Sequence, residues 1–184
     1  RQSQETEVIA TGLAPRRDAE AAIGITLDPG AYTAVLRGAA GGEGTAMVEI
    51  YDVDPTADSR LSNISTRGVV QTGDNVMIGG FILRGGENAP VAVRALGPSL
   101  AAKEVAAPIQ DPVLELHDQS GAIIAANDNW RDEQASTITA AKLAPGDDRE
   151  STLIARLAPG AYTAIVRTQS GNPGIGLLEI YDLR

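Results

Sequence analysis

Acidic and amide side chains recur at turns in the second half of the sequence, and their oxygen atoms could bind a metal ion. Calcium takes about six to eight oxygen ligands, commonly from turn carboxylates and carbonyls. Asn and Asp also favour turns without any metal, because their side chains bond to nearby backbone, and no EF-hand spacing is present. Both interpretations stay open for one set of residues: Asp111, Asp118, Asn127, Asp128, Asn129 and Asp132.

Catalytic patterns are weak. His117 is the single histidine, and no nucleophile motif accompanies it. One histidine without any cysteine does not make a zinc site. Glu49 and Glu179 could act as an acid and base pair, but both stand in the same E-I-Y-D motif, and repeated placement argues for a structural role. We therefore expect that the protein is not an enzyme and has no catalytic residue.

The single tryptophan, Trp130, has two open roles. An exposed aromatic ring can stack on a sugar, which would make Trp130 a ligand-binding residue for a glycan. A lone tryptophan at the end of a strand more often packs in a core. Calcium is the only cofactor that these side chains leave open.

Short strands separated by turn signals must position these side chains. Long helical periodicity is absent, and the strands recur every 8–12 residues or so, which is typical of an antiparallel sandwich. A short helix is expected within residues 131–142. The predicted strands are residues 61–66, 69–71, 75–83, 91–96, 113–117, 122–126, 153–157, 162–168 and 175–183.

An internal repeat determines the organisation of the chain. Residues 27–54 match residues 157–184 without a gap, and both contain the sequences P-G-A-Y-T-A and E-I-Y-D. The intervening stretch, residues 60–130, has no second copy; we call it the central segment. Repeats of this kind mark the units of a fold. The sequence therefore predicts an N-terminal half repeat over residues 1–54 and a complete β-sandwich unit over residues 60–184.

The N-terminal half repeat is predicted to form a β-hairpin over residues 31–53. A hairpin alone is marginally stable in water, so its apolar face needs a cover. Three covers are open: a preceding segment of a longer tandem array, the central segment of the same chain, or a neighbouring subunit that accepts an added strand. The residues expected to make this contact are Tyr32, Val35, Val48, Ile50 and Tyr51.

The predicted fold is therefore all-β: an antiparallel β-sandwich, similar to a jelly roll, with an extra N-terminal half-repeat hairpin. Residues 111–129 resemble the bacterial pre-peptidase C-terminal domain family, whose members carry a similar D-x-x-L-x-L-x-D-x-x-G motif. Residues 61–68, 73–76 and 94–100 are similar to a related repeat of secreted bacterial proteins. The resemblance implies a secreted sandwich that serves as an accessory or adhesive module.

Composition excludes several kinds of partner. The net charge of −9 without a basic cluster disfavours nucleic acid. Disulfides are excluded because cysteine is absent. No apolar run approaches the roughly 20 residues that a membrane helix needs. Because the sequence starts at Arg1, we expect that any secretion signal has been removed.

Together these features predict a structural or adhesive module on the bacterial cell surface or outside the cell. It is expected to associate head to tail through its repeated half, as a filament or a tandem array. Its partners would be copies of itself or adjacent repeats. The alternative function is a calcium-assisted accessory module that binds a glycan or a protein.

Overall fold

The computed structural model describes residues 4–54, 56 and 59–184. The chain divides into two compact units, residues 1–60 and residues 61–184. Almost all regular structure lies in the second unit.

The second unit is an antiparallel β-sandwich of two four-stranded sheets, with strand orders β1-β8-β3-β6 and β2-β7-β4-β5. This confirms the predicted fold class. The strands are β1 (Asn63–Val70), β2 (Met77–Leu83), β3 (Ala89–Leu96), β4 (Pro112–His117), β5 (Ile123–Asn127), β6 (Ser151–Leu157), β7 (Gly160–Thr168) and β8 (Gly174–Asp182).

The main core lies between the two sheets and follows from the alternation of side chains along each strand. Leu114 and Leu116 of β4 point inward, as do Leu178 and Ile180 of β8. β3 differs because Ala92, on its other face, is also fully buried. The sheet that contains β3 is therefore covered on both faces.

A second, smaller core covers the outer face of β3. It contains Ala92, Trp130, Ile138 and Leu143. Ile138 comes from a one-and-a-half-turn helix, α2 (Ala135–Ala140), and is fully buried. This helix is the element expected within residues 131–142, and it covers the sheet with a single large side chain.

The three strands that follow α2 pair only with strands of the central segment. β6 pairs with β3, β7 pairs with β2 and β4, and β8 pairs with β1 and β3. β7 and β8 are consecutive but lie in different sheets. The chain therefore crosses from one sheet to the other between them and does not form a hairpin.

The first unit contains one short helix, α1 (Glu5–Ala10), and a 3₁₀ turn at Ala39–Gly41. No strand occurs among its described residues, 4–54, 56, 59 and 60. The predicted hairpin over residues 31–53 is therefore wrong. The alternation that predicted it is real, but the matching strands β7 and β8 obtain their backbone partners from the central segment rather than from each other.

No helix in the described part of the chain has the length and hydrophobicity to cross a membrane.

Candidate functional site

The structural repeat begins earlier than the sequence match. At the same spacing that aligns residue 27 with residue 157, α1 aligns with α2. Gln4 donates a side-chain hydrogen bond to Gly24 O (2.5 Å), and Gln134 donates the equivalent bond to Ile154 O (2.9 Å). Gly12 and Lys142, which follow the two helices, both have a left-handed φ (74° and 59°). We therefore call residues 131–184 the C-terminal half repeat.

The tyrosine of each P-G-A-Y motif makes the same local bond. Tyr32 OH donates to Asp28 O at 2.7 Å, and Tyr162 OH donates to Ala158 O at 2.9 Å. The hydroxyl closes the turn that precedes β7 in the C-terminal half repeat. Because this bond spans only four residues, the N-terminal half repeat makes it without any strand pairing.

Exposure of the apolar side chains separates the two half repeats. Val48 is 51% exposed, whereas its counterpart Leu178 is 1% exposed. Ile23 is 80% exposed and its counterpart Leu153 is 4% exposed. The other exposed positions with buried counterparts are Leu13, Leu27, Leu36 and Ile50, which match Leu143, Leu157, Val166 and Ile180. We call the exposed set, completed by Val48 and Ile23, the apolar surface of the N-terminal half repeat.

The residues predicted to make an association contact, namely Tyr32, Val35, Val48, Ile50 and Tyr51, are all exposed. Their counterparts place Val48 and Ile50 on the face that packs between the sheets. Val35 matches Ile165, which is only partly buried, whereas the adjacent Val166 is fully buried. Leu36 rather than Val35 therefore corresponds to the core face. The sequence alternation alone did not indicate which of the two faces was the inner one.

A polar cluster joins the C-terminal half repeat to the central segment on the outer face of β8. Arg94 of β3 donates to Glu179 Oε2 at 2.6 Å, to Leu143 O at 3.2 Å and to Tyr181 OH at 3.3 Å. Tyr181 OH in turn donates to Glu179 Oε1 at 3.0 Å. Arg94 and Glu179 are both largely buried, so each needs the other to offset the loss of hydration.

The N-terminal half repeat holds the counterparts of these acceptors. Tyr51 OH donates to Glu49 Oε1 at 2.9 Å, as Tyr181 does to Glu179. This hydrogen bond raises the pKa of Tyr51. Leu13 stands at the position of Leu143. Among the residues that the structure describes, no cationic side chain forms an ion pair with Glu49.

A buried carboxylate forms a second polar junction. Glu150 is fully buried, and its Oε1 accepts hydrogen bonds from Gly97 N (2.8 Å), Ser99 N (2.9 Å) and Ser99 Oγ (2.7 Å). Its Oε2 accepts from Asp147 N at 3.2 Å. Glu150 thus ties the C-terminal half repeat to the loop after β3. Its counterpart, Glu20, is exposed.

Trp130 takes the packing role. It is 3% exposed in the smaller core, and the Arg131 guanidinium lies 4.1 Å from the centre of its ring. The glycan-binding prediction for Trp130 is therefore wrong, because a sugar needs an accessible ring face. Its Nε1 has no hydrogen-bond partner among the described residues.

Asp118 lies at the turn between β4 and β5 and serves that turn. Its Oδ1 accepts hydrogen bonds from Ser120 N (2.8 Å), Ser120 Oγ (2.6 Å) and Ala122 N (3.1 Å). The bonds from Ser120 lower the pKa of the Asp118 carboxyl. This is the turn-forming role that the sequence left open beside calcium binding.

The other predicted calcium ligands lie near the end of β5. Both polar atoms of the Asn127 side chain are hydrogen-bonded. Its Oδ1 accepts from Thr152 N at 2.9 Å, and its Nδ2 donates to Asn129 O at 3.1 Å. Asn129 donates to Asp132 Oδ2 at 3.2 Å. Within the described part of the chain, no group of three or more acidic or histidine side chains is arranged to hold a metal ion.

Asp128 is the one carboxylate of this group with an unusual environment. Its Oδ1 is buried without a hydrogen-bond partner among the described residues. Burial raises the pKa of the Asp128 carboxyl, and the neighbouring carboxylates of Asp111 and Asp132 raise it further. A cation would relieve this arrangement, and so would a proton. Calcium binding at the six residues stays a prediction.

Similarity of the chain to known proteins is found among solved structures and not among family models or curated proteins. No family model matches it, and no curated protein matches it. Among solved structures it is similar to the pre-peptidase C-terminal domain of a collagenase from Bacillus anthracis, with 13% identity and a TM-score of 0.41. That match covers 64% of this chain and 88% of the other. The fold assignment rests on the two sheets themselves.

Sequence reasoning missed the residues that join the two halves of the sandwich. Arg94 lies in a stretch that resembles a known repeat, but nothing in the local sequence predicts that Arg94 meets Glu179 or that Glu150 meets Ser99. The match between Gln4 and Gln134 could have been found from the sequence, because the two glutamines have the same separation as residues 27 and 157. Each of them precedes a short helix. The match at this end of the repeat is weak in sequence and clear in hydrogen bonding.

Proposed function

We propose that this chain is a structural β-sandwich module of an extracellular bacterial protein, and that it joins a neighbouring module head to tail through residues 1–54. The N-terminal half repeat would complete the sandwich of a neighbour by supplying strands to that neighbour's central segment. The role is mechanical and not catalytic. The resemblance of residues 111–129 to a family of secreted accessory domains supports the extracellular setting.

One observation carries the proposal: each strand of the C-terminal half repeat pairs only with the central segment, and the N-terminal half repeat has the same sequence pattern. β7 and β8 contribute no hydrogen-bonded ladder to each other. The matching residues 30–52 therefore need four strands like β1–β4 beside them before they can become strands themselves. The N-terminal half repeat supplies the turns and the helix α1 but not the backbone partners.

The exposed apolar surface gives the association its driving force. Burying a large aliphatic side chain contributes roughly 1.5–3 kcal/mol, and the apolar surface of the N-terminal half repeat holds several half-exposed ones, including Leu36, Val48 and Ile50. The tyrosine and glutamine bonds already made within this half reduce the ordering that remains to be done.

The number of segments favours adjacent repeats over a filament of identical chains. Residues 1–184 hold two half repeats but one central segment, and the C-terminal half repeat already occupies that segment. If a second copy of the chain exchanged one half repeat for the other, one would still be left uncovered. A second central segment is therefore required, as in a tandem array.

The test is an extended chain in which a second copy of residues 60–130 is joined directly before Arg1. This junction places an arginine after Trp130, as Arg131 does in the chain itself. We expect the amides of residues 31–53 to become as protected from hydrogen exchange as those of residues 160–182. Amides that remain as fast in the extended chain as in the original one would contradict the proposal.

A second version of the extended chain reduces one of the expected misfits of the added central segment. A Cβ at Gly176 would lie 2.9 Å from Val70 Cγ2, and the N-terminal counterpart of Gly176 is Ala46. Val70→Ala in the added copy makes room for that methyl group. Protection of residues 31–53 in either version supports the proposal, and protection in neither rejects it.

A further inference from the structure

We propose that the N-terminal half repeat recognises its neighbour through one short stretch of that neighbour's central segment with the pattern R-x-x-G-x-S. The arginine would bind Glu49 and Tyr51, and the glycine and serine would bind Glu20. This inference rests on the proposed function and specifies the partner's chemistry. In the present chain, residues 94–99 read R-A-L-G-P-S and carry both contacts.

The arginine contact follows from the cluster around Arg94. That guanidinium is held by Glu179, by Tyr181 OH and by the carbonyl of Leu143, all from the C-terminal half repeat. A planar guanidinium with several fixed donors suits an array of this kind, whereas a lysine ammonium cannot bond to all of these groups in the same geometry.

The first unit already holds the equivalent tyrosine and glutamate in their bonded arrangement. Tyr51 OH lies 2.9 Å from Glu49 Oε1, against 3.0 Å between Tyr181 OH and Glu179 Oε1. The glutamate is thus oriented before any arginine arrives. In the unbound half these side chains are exposed and hydrated, so the ion pair forms with its full selectivity only when an interface covers it.

The second contact follows from Glu150. Its carboxylate is fully buried and is bonded by two backbone N–H groups and one hydroxyl of the loop at residues 97–99. Gly97 leaves no room for a side chain, because an added Cβ would lie 2.2 Å from Ile109 O. The loop that meets the glutamate therefore needs glycine at its first position and a hydroxyl at its third.

Glu20 stands where Glu150 stands, and its local backbone is the same. Glu20 N donates to Arg17 O at 3.0 Å, and Glu150 N donates to Asp147 O at 3.2 Å. A carboxylate at this position adds nothing to the exposed first unit by itself. It becomes useful when a loop with free N–H groups is placed against it, because hydrogen bonds to a charged acceptor are the stronger kind.

Arginine and glycine-serine lie close together in sequence, so one stretch of the partner can supply both contacts. The end of β3 carries Arg94, and the next turn carries Gly97 and Ser99. Glu49 and Glu20 come from widely separated parts of the first unit. A partner that lacks either contact would leave one carboxylate buried and unpaired, which is how polar groups reject incorrect partners.

The experiment uses the extended chain and its Val70→Ala version, and measures hydrogen-exchange protection over residues 31–53. We expect Glu49→Gln and Glu20→Gln each to reduce that protection about tenfold or more, because hydrogen bonds to charged groups contribute most among polar contacts. Arg94→Lys in the added copy should reduce it similarly. Glu43→Gln, an equal change at an exposed residue of the same unit, should leave it unchanged.

The outcomes separate the two proposals. Protection that survives Glu49→Gln and Glu20→Gln as well as it survives Glu43→Gln would overturn the recognition pattern while leaving head-to-tail association intact. Absence of protection in both versions of the extended chain would remove the proposed function itself. Glu49→Gln in the original chain should leave the exchange of residues 160–182 unchanged, which shows that the variant acts only through the interface.

Discussion

At the scale of single residues, the sandwich depends on a few polar groups whose environments differ sharply. Glu150 is buried, and both of its carboxylate oxygens accept hydrogen bonds, from the loop at residues 97–99 and from Asp147. Asp128 has a buried oxygen without a partner and two acidic neighbours. The Glu150 carboxylate stabilises the fold, whereas the Asp128 carboxylate destabilises it.

Asp128→Asn should therefore raise the melting temperature at pH 7. Because the pKa of Asp128 is raised in the folded state, the folded chain holds its proton at a higher pH than the unfolded chain does. The free energy of unfolding consequently decreases as pH rises through that pKa. The gain from the variant should be present at neutral pH and vanish below about 3.9, the ordinary value for aspartate.

Thermal unfolding at pH 7 and pH 3 checks this, with Asp74→Asn as the same change at an exposed turn. An Asp128→Asn variant that is less stable at pH 7 would contradict the account. Calcium is tested in the same series: a bound ion would raise the melting temperature of the unchanged chain and have little effect on the Asp128→Asn variant.

At the scale of elements, whether a half repeat forms strands depends on the chain segment that lies beside it. Gly174 begins β8, and an added Cβ there would lie 2.6 Å from Ile109 N and 2.8 Å from Ala107 O. Its counterpart, Gly44, has open space at the same position. Identical glycines thus carry different constraints because only one of them has a neighbouring segment.

Gly174→Ala should destabilise the second unit by about 1–3 kcal/mol. The atoms that the added Cβ would meet belong to the backbone, and they cannot rotate away as a side chain could. Gly44→Ala, the matched control, should leave the free energy of unfolding unchanged. Urea denaturation of the full chain measures both. If the two variants lose equal stability, the first unit must already pack around Gly44, contrary to its structure.

At the scale of the whole molecule, all paired strands of the described residues lie within residues 61–184, while residues 4–54 expose apolar side chains. The second unit contains each partner that its strands need. The first contains the turns, a helix and the polar groups of a half sandwich. The molecule therefore combines a fully paired sandwich with a half repeat whose apolar side chains are exposed.

Because a second copy supplies no free central segment, the full chain should associate only through its uncovered apolar surface and form larger species as its concentration rises. Residues 61–184 alone should remain monomeric with an unchanged melting temperature. Ile50→Asp should suppress the larger species, because Ile50 belongs to the apolar surface. Ile82→Asp, at an isoleucine of β2 that is also well exposed, should not. Light scattering after size exclusion measures the masses.

Two results would contradict the predicted self-association of the full chain. A full chain that is monomeric at every concentration would show that the apolar surface does not attract a second copy, and would leave the tandem-array form to the extended chain. Loss of association in Ile82→Asp but not in Ile50→Asp would show that the copies associate through the sandwich of the second unit and not through the apolar surface. The extended chain, with its apolar surface covered, should be monomeric.

The sequence alone determined the repeat, the all-β class and most strand positions, because turn residues and alternation are local signals. It also determined local bonds such as that of Tyr32, which reaches only four residues along the chain. Tertiary structure decided the rest: which face of a strand points inward, that β7 and β8 lie in different sheets, and that Arg94 meets Glu179. Those outcomes depend on residues distant in sequence, so two half repeats with the same sequence pattern can differ entirely in strand pairing.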